Sequence, residues 1–266
     1  MKTYKHIIVS ILFVFVAYSC EKEIDVDLRS VPPRMQIEGM VPMDMPARVR
    51  VSHTIDFSDN SGYPVLKGAV VTVSDDAGNS EILEQDETGW YIAENLIGTI
   101  GRTYNLSVIY DDVEYTSTSR MPSQVKIDSL TMYKIKVMDY ALPMIHFTDP
   151  VGKENENYRC LVYINGKPRV DFDELVISTK HTDGNVMHVI LPVFTENDDA
   201  DDPIQQDDEV TIEFQCLDKA AYTFFEDLSN ISNALTNPTT NIKGGAIGVF
   251  SAYSYDRMSI IAKWEE

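Results

Sequence analysis

Asp198, Asp199, Asp201, Asp202, Asp207, Asp208 and Glu209 place seven carboxylates within twelve residues. Calcium takes about six to eight oxygen ligands, largely carboxylate, so this run is the best metal candidate in the chain. It lacks the glycine that turns an EF-hand loop, and Pro203 interrupts it; the commoner role of such a run is a solvated loop. Beyond residue 19 the histidines are His53, His146, His181 and His188. His181 and His188 flank Asp183-Gly184, but a turn centred there pairs His181 with Val186, and the spacing identifies no third zinc ligand. Cys160 and Cys216 lie in apolar, strand-like runs, where free buried thiols are favoured over a disulfide. No CxxC pair supports a zinc knuckle or a thioredoxin-type site. A GxSxG elbow, an HExxH helix and a Walker loop are all missing from the sequence. Carboxylate pairs suited to glycoside cleavage can be drawn anywhere in so acidic a chain and carry no weight without a measured separation. No catalytic residue or cofactor is therefore assigned, calcium being the one ion the residues suggest. Tyr63, Trp90, Tyr91, Tyr140, Tyr253, Tyr255 and Trp264 could stack on sugars or dock a protein, although strand aromatics usually fill cores. Binding is often grafted onto loops, which singles out Phe57 and Tyr63, in the loop Asp56 to Pro64, as the candidate ligand-binding pair.

The elements that must position these residues begin after a leader. Lys2 and Lys5 precede an apolar run from Ile7 to Ala17, and small residues lead up to Cys20. A membrane span needs about twenty apolar residues, so this run has the layout of a secretory signal over residues 1–19. A cysteine at the cleavage point is the acylation site of a bacterial lipoprotein, with Cys20 as the mature N-terminus. Ala17-x-Ser19 would also suit ordinary signal peptidase and a secreted protein. Residues 20–33 then form a charged, proline-bounded tether. The mature chain keeps 247 of 266 residues; without Lys2 and Lys5 it carries 20 basic against 42 acidic residues, a net charge of −22. Such a surface repels phosphate backbones and excludes nucleic acid as a partner.

From Arg34 to Ser119 apolar residues alternate with polar ones in seven short runs, the spacing of a β-sandwich. Met121-Pro122 interrupts the pattern, which sets a first domain at 34–122 and a second, mostly β domain at 123–266. In the second, Asn165-Gly166 and Asp183-Gly184 are hairpin signals. The latter would join 175–179 to 186–191. Ala221, Phe224, Leu228, Ile231 and Leu235 step by three and four, predicting an amphipathic helix over about 219–236 that starts at Asp218 and ends at Asn237-Pro238. Segments 246–255 and 258–264 close the chain as two further strands.

Lys67 to Asn79, Glu87-Thr-Gly-Trp-Tyr91 and Gly101 to Val108 resemble a secreted Bacteroidetes family catalogued as domain of unknown function 4249. So do Glu21 to Leu28, Met121-Pro-Ser123, Ile127-Asp-Ser129, Asn241-Ile-Lys-Gly-Gly245 and Gly248-Val-Phe-Ser-Ala-Tyr253. The resemblance implies an N-terminal sandwich similar to immunoglobulin-like and transthyretin-like domains. It also implies a lipid-anchored protein, exposed at the cell surface, beside a TonB-dependent outer-membrane transporter. Glu21-Lys-Glu-Ile-Asp25 is similar to the charged segment that exports such lipoproteins to the outer face of the outer membrane. The family supplies no catalytic residues. The expected role is a non-enzymatic accessory or binding subunit; a structural or adhesive surface protein, or a carbohydrate- or peptide-cleaving enzyme, are the alternatives.

Overall fold

The computed structural model describes residues 32–55, 64–136, 141–152, 157–169, 175–193, 204–231 and 236–265. Alternation of period two builds a first sandwich. One of its sheets contains β1 (Met35–Pro42), β2 (Pro46–His53), β5 (Glu84–Gln85) and β6 (Trp90–Ile97). The other contains β3 (Val70–Asp75), β4 (Ser80–Ile82), β7 (Thr103–Tyr110) and β8 (Val113–Arg120), in the order β4-β3-β7-β8. Ile37, Val49, Val51, Val71, Val73 and Val108 alternate inward and are fully buried between them.

A second sandwich follows. β11 (Asn157–Ile164), β12 (Lys167–Pro168), β13 (Leu175–Ser178), β15 (Glu209–Cys216) and β16 (Ile247–Ile261) lie against β9 (Ser129–Lys134), β10 (Ala141–Thr148) and β14 (Val186–Ile190). Its core stacks Tyr158 on Phe214, with ring centroids 4.7 Å apart. Cys160 and Cys216 are both free and buried here. Burial pushes the Cys216 thiol up to about 11, so it packs as a small apolar group.

One strand joins the two halves. The first part of β16, 247–253, runs parallel to β1, and its remainder runs antiparallel to β15. The long sheet is therefore ordered β12-β11-β15-β16-β1-β2-β6-β5, with β13 also on β11. Phe250 and Ala252 of β16 enter the first core, while Met258 and Ile260 pack against the second. Both small sheets thus cover one face of the long sheet. Met121 belongs to the first core and Val125 and Ile127 to the second, so Met121-Pro122 marks the passage between cores within a shared sheet.

Three expectations are corrected. The segments 246–255 and 258–264 are one fifteen-residue strand; Ser254 and Asp256, which look like a break, sit where β16 passes between cores, and Asp256 accepts the Ile127 N–H at 2.9 Å. Asp183-Gly184 turns the chain but makes no hairpin, because β13 pairs with β11 and β14 with β10. The helix α1 (Lys219–Ser229) stops short of residue 236. Asn230 ends it by donating its side-chain amide to the Glu226 carbonyl at 2.8 Å, which supplies a partner that a further turn would have provided. Ala221, Tyr222 and Phe225 are the buried residues of α1, and Ile231 is exposed. Strands β9 and β10 were not expected.

Candidate functional site

The face of the long sheet opposite the two cores is covered by α1, and a cavity of about 610 Å³ opens between them. Strand alternation decides what lines its floor. Even-numbered residues of β1 and β2 point there, among them Glu38, Met40 and Arg48. Odd-numbered residues of β11, β15 and β16 do the same: Arg159 and Tyr163, Glu213 and Gln215, Ser251, Tyr253, Tyr255 and Arg257. Phe224, Phe225 and Leu228 of α1 form the wall.

Asp218 fixes that wall. Its Oδ1 accepts the Ala221 N–H at 2.8 Å, and its Oδ2 accepts the Ser119 hydroxyl and the Arg120 N–H of β8. Ser119 in turn accepts the Ala252 N–H at 2.8 Å, so helix, floor and first sandwich share one network. On the open side of β16, Asn241 stands in for a strand: its amide donates to the Phe250 carbonyl at 2.7 Å and its carbonyl accepts the Phe250 N–H at 2.9 Å. Gly248, at φ +115, passes so close to β1 that a Cβ would lie 1.9 Å from the Ile37 carbonyl oxygen. Only glycine allows the parallel pairing at that position.

The charges in the cavity are arranged, not scattered. The Glu213 carboxylate is buried and accepts from Arg257 Nε at 2.8 Å and from Gln215 Nε2 at 2.6 Å. Arg159 lies 4.0 Å over the Phe225 ring, and Arg48 lies 5.4 Å over Trp90. Tyr253 is 8% exposed. Burial first, and Glu213 after it, push that phenol up to about 12, against the pull of Arg48 and Arg159. Ser251 is 4% exposed, and its hydroxyl has no hydrogen-bond partner among the described residues. Buried polar groups are almost always satisfied; the Ser251 hydroxyl is an exception, and it lies on the cavity floor.

The chain belongs to the family described as domain of unknown function (DUF4249), which matches residues 21–259. Comparison with curated proteins gives no match. The Gly248 to Tyr253 segment, one of those that carried the resemblance, supplies the centre of the floor: Val249, Ser251 and Tyr253 face the cavity while Phe250 and Ala252 face the core. Gly245 of the Asn241 segment accepts a hydrogen bond from Arg34 at 3.2 Å.

The other candidate residues fall elsewhere. Cys20, Phe57, Tyr63, Asp198, Asp199, Asp201 and Asp202 lie outside the described residues. Asp208 braces a turn by accepting from Asn165 Nδ2 and from the Gln205 N–H, both at 2.8 Å. Asp207 is an exposed side chain 4.0 Å from Lys263, and Glu209 opens β15. Among the described residues no three His, Cys, Asp or Glu side chains are grouped to hold a metal. His188 meets His146 of β10 rather than His181: the two lie opposite in register, with Nδ1 atoms 2.5 Å apart. Burial, and then His188, lower the His146 pKa. Of the aromatic candidates, Tyr253 and Tyr255 reach the cavity and Trp90 lies beneath Arg48, whereas Tyr91 is core. Tyr163, Phe224 and Phe225 were missed; the only signal for them was alternation combined with a sheet order that the sequence does not display.

Proposed function

We propose that this protein is an outer-membrane lipoprotein, exposed at the cell surface, that holds a small ligand under α1 and serves a TonB-dependent nutrient transporter without catalysis. The observation that carries the reading is the unpartnered Ser251 hydroxyl on the floor of the 610 Å³ cavity. That volume lies in the usual range of ligand pockets. Two sandwiches acting as spacers, the structural or adhesive alternative, have no use for such a void. Acylated Cys20 supplies the anchor and residues 20–33 the tether.

The enzyme reading finds two carboxylates in this cavity, Glu38 and Glu213. Glu38 pairs in register with Val249, and Glu213 with Arg257. Eight residues of β16 separate those positions, which is about 26 Å at strand rise. Glycosidase carboxyl groups stand no more than about 10 Å apart, so this spacing of backbone positions does not favour glycoside cleavage by the pair.

Envelope fractionation and a mild-detergent pull-down test the reading together. Cys20→Ala is expected to leave the outer-membrane fraction and appear soluble or unprocessed, while wild-type protein brings down a transporter in stoichiometric amount. Unchanged fractionation of the variant, or a wild-type protein that is extracted alone, contradicts it.

A further inference from the structure

We infer that the cavity is built for a small organic monocarboxylate with an apolar or aromatic body, an inference that rests on the ligand-holding reading above. The charge balance is the first reason. The chain carries a net charge of −20, yet three arginines and two glutamates line this one cavity. Arg257 is committed to Glu213. Arg48 has no ion pair among the described residues, and its guanidinium is held over Trp90. A planar guanidinium presents paired N–H groups that match a carboxylate.

Register supplies the second reason. Arg48 lies opposite Met40, and Met40 opposite Ser251; Pro42, two residues further along β1, lies opposite Tyr253. Strands are spaced about 4.8 Å apart, so Arg48 and Ser251 start about 10 Å apart on one row of the sheet. The Arg48 guanidinium is near enough to the Tyr253 phenol to draw its pKa down. A carboxylate seated between them takes charge-assisted bonds from Arg48 and hydroxyl bonds from Ser251 and Tyr253. The Ser251 hydroxyl then has a partner. Tyr253, raised to about 12 by burial, stays protonated and can donate.

The rest of the lining selects the body and excludes rivals. Met40, Met45, Phe224 and Leu228 offer thioether, aromatic and aliphatic surface, which suits an adaptable apolar group. A dianionic phosphate would be opposed by Glu213, and the N-terminus of α1 is already taken by Asp218. A neutral sugar would satisfy the hydroxyls and leave Arg48 without a counter-charge.

Isothermal titration of the detergent-solubilised mature protein with octanoate and phenylbutyrate, beside their primary amides and octyl phosphate, tests the inference. The acids are expected to bind at least about tenfold more tightly than the amides or the phosphate. Arg48→Gln should weaken the acids by about tenfold and leave the amides unchanged, with Arg48→Lys recovering part of the loss. Leu228→Trp, which adds bulk to the cavity wall at a partly buried position of α1, should abolish binding, with circular dichroism showing that the variant remains folded. Acids and amides that bind equally, with both lost in Leu228→Trp, overturn the ligand class and leave the cavity reading standing. Failure of every probe also overturns the ligand class. Equal binding to wild type and Leu228→Trp overturns both readings.

Discussion

Glu213 shows how this sheet tolerates a carboxylate almost out of water. Its side chain is 6% exposed, and its partner Arg257 is 56% exposed, so the pair is half desolvated. Removing one partner of a fully buried pair costs about 3–5 kcal/mol; with Arg257 open to solvent the loss is smaller. Arg257→Ala is expected to lower stability by about 2 kcal/mol in urea titration, and adding Glu213→Leu to restore most of it. A double variant as unstable as the single one would show that the carboxylate is not the cause. The His146–His188 contact is a different residue-scale lesson. Sequence spacing gives His188 no histidine partner, since a turn at Asp183-Gly184 pairs His181 with Val186, and only strand order reveals His146 as its neighbour. Ser251 was equally silent: a lone serine in an apolar strand carries no mark of lacking a partner.

At the scale of elements, alternation made β1, β2, β3, β7, β8, β11 and β15 legible to within a residue or two, since apolar residues recur at every second position along each. It failed where a strand does two jobs. β16 changes partner and core midway, so Ser254 and Asp256 interrupt its pattern. β10 contains Pro143 within an apolar run, which hides its periodicity. The stripe expected on α1 ran past Asn230, where side-chain capping ends the helix. Asp218 was legible as an N-cap, but its bonds to Ser119 and the Arg120 N–H were not, as these cross about a hundred residues of sequence. An N-cap is worth about 1 kcal/mol, and the further hydrogen bonds add about as much. Asp218→Ala is therefore expected to cost about 2–3 kcal/mol, read as a shift in the urea midpoint, with Asp218→Asn milder. A cost below about 1 kcal/mol would mean that the network does not hold the helix to the sheet.

For the whole molecule, the parallel pairing of β1 with β16 brings residues from both ends of the chain onto one floor. This is why the cavity could not be read from sequence: its residues come from five strands and a helix whose order follows from closure of the long sheet. The mainly β class and the family were legible, since both rest on local patterns. The same closure makes the first sandwich depend on its distant strand, because Ile242, Ala246, Phe250 and Ala252 belong to its core. A fragment of residues 32–122 is expected to be unfolded by circular dichroism and to give collapsed amide dispersion in NMR; a cooperative melt would show that the first core is self-sufficient. The account stands or falls on occupancy of the space under α1. Small molecules released by denaturing wild-type protein and Leu228→Trp, each extracted from the envelope of the producing cell, can be compared by mass spectrometry. The account predicts an organic acid in near-stoichiometric amount with the wild type and its loss from the variant. Identical small-molecule content in the two would contradict it.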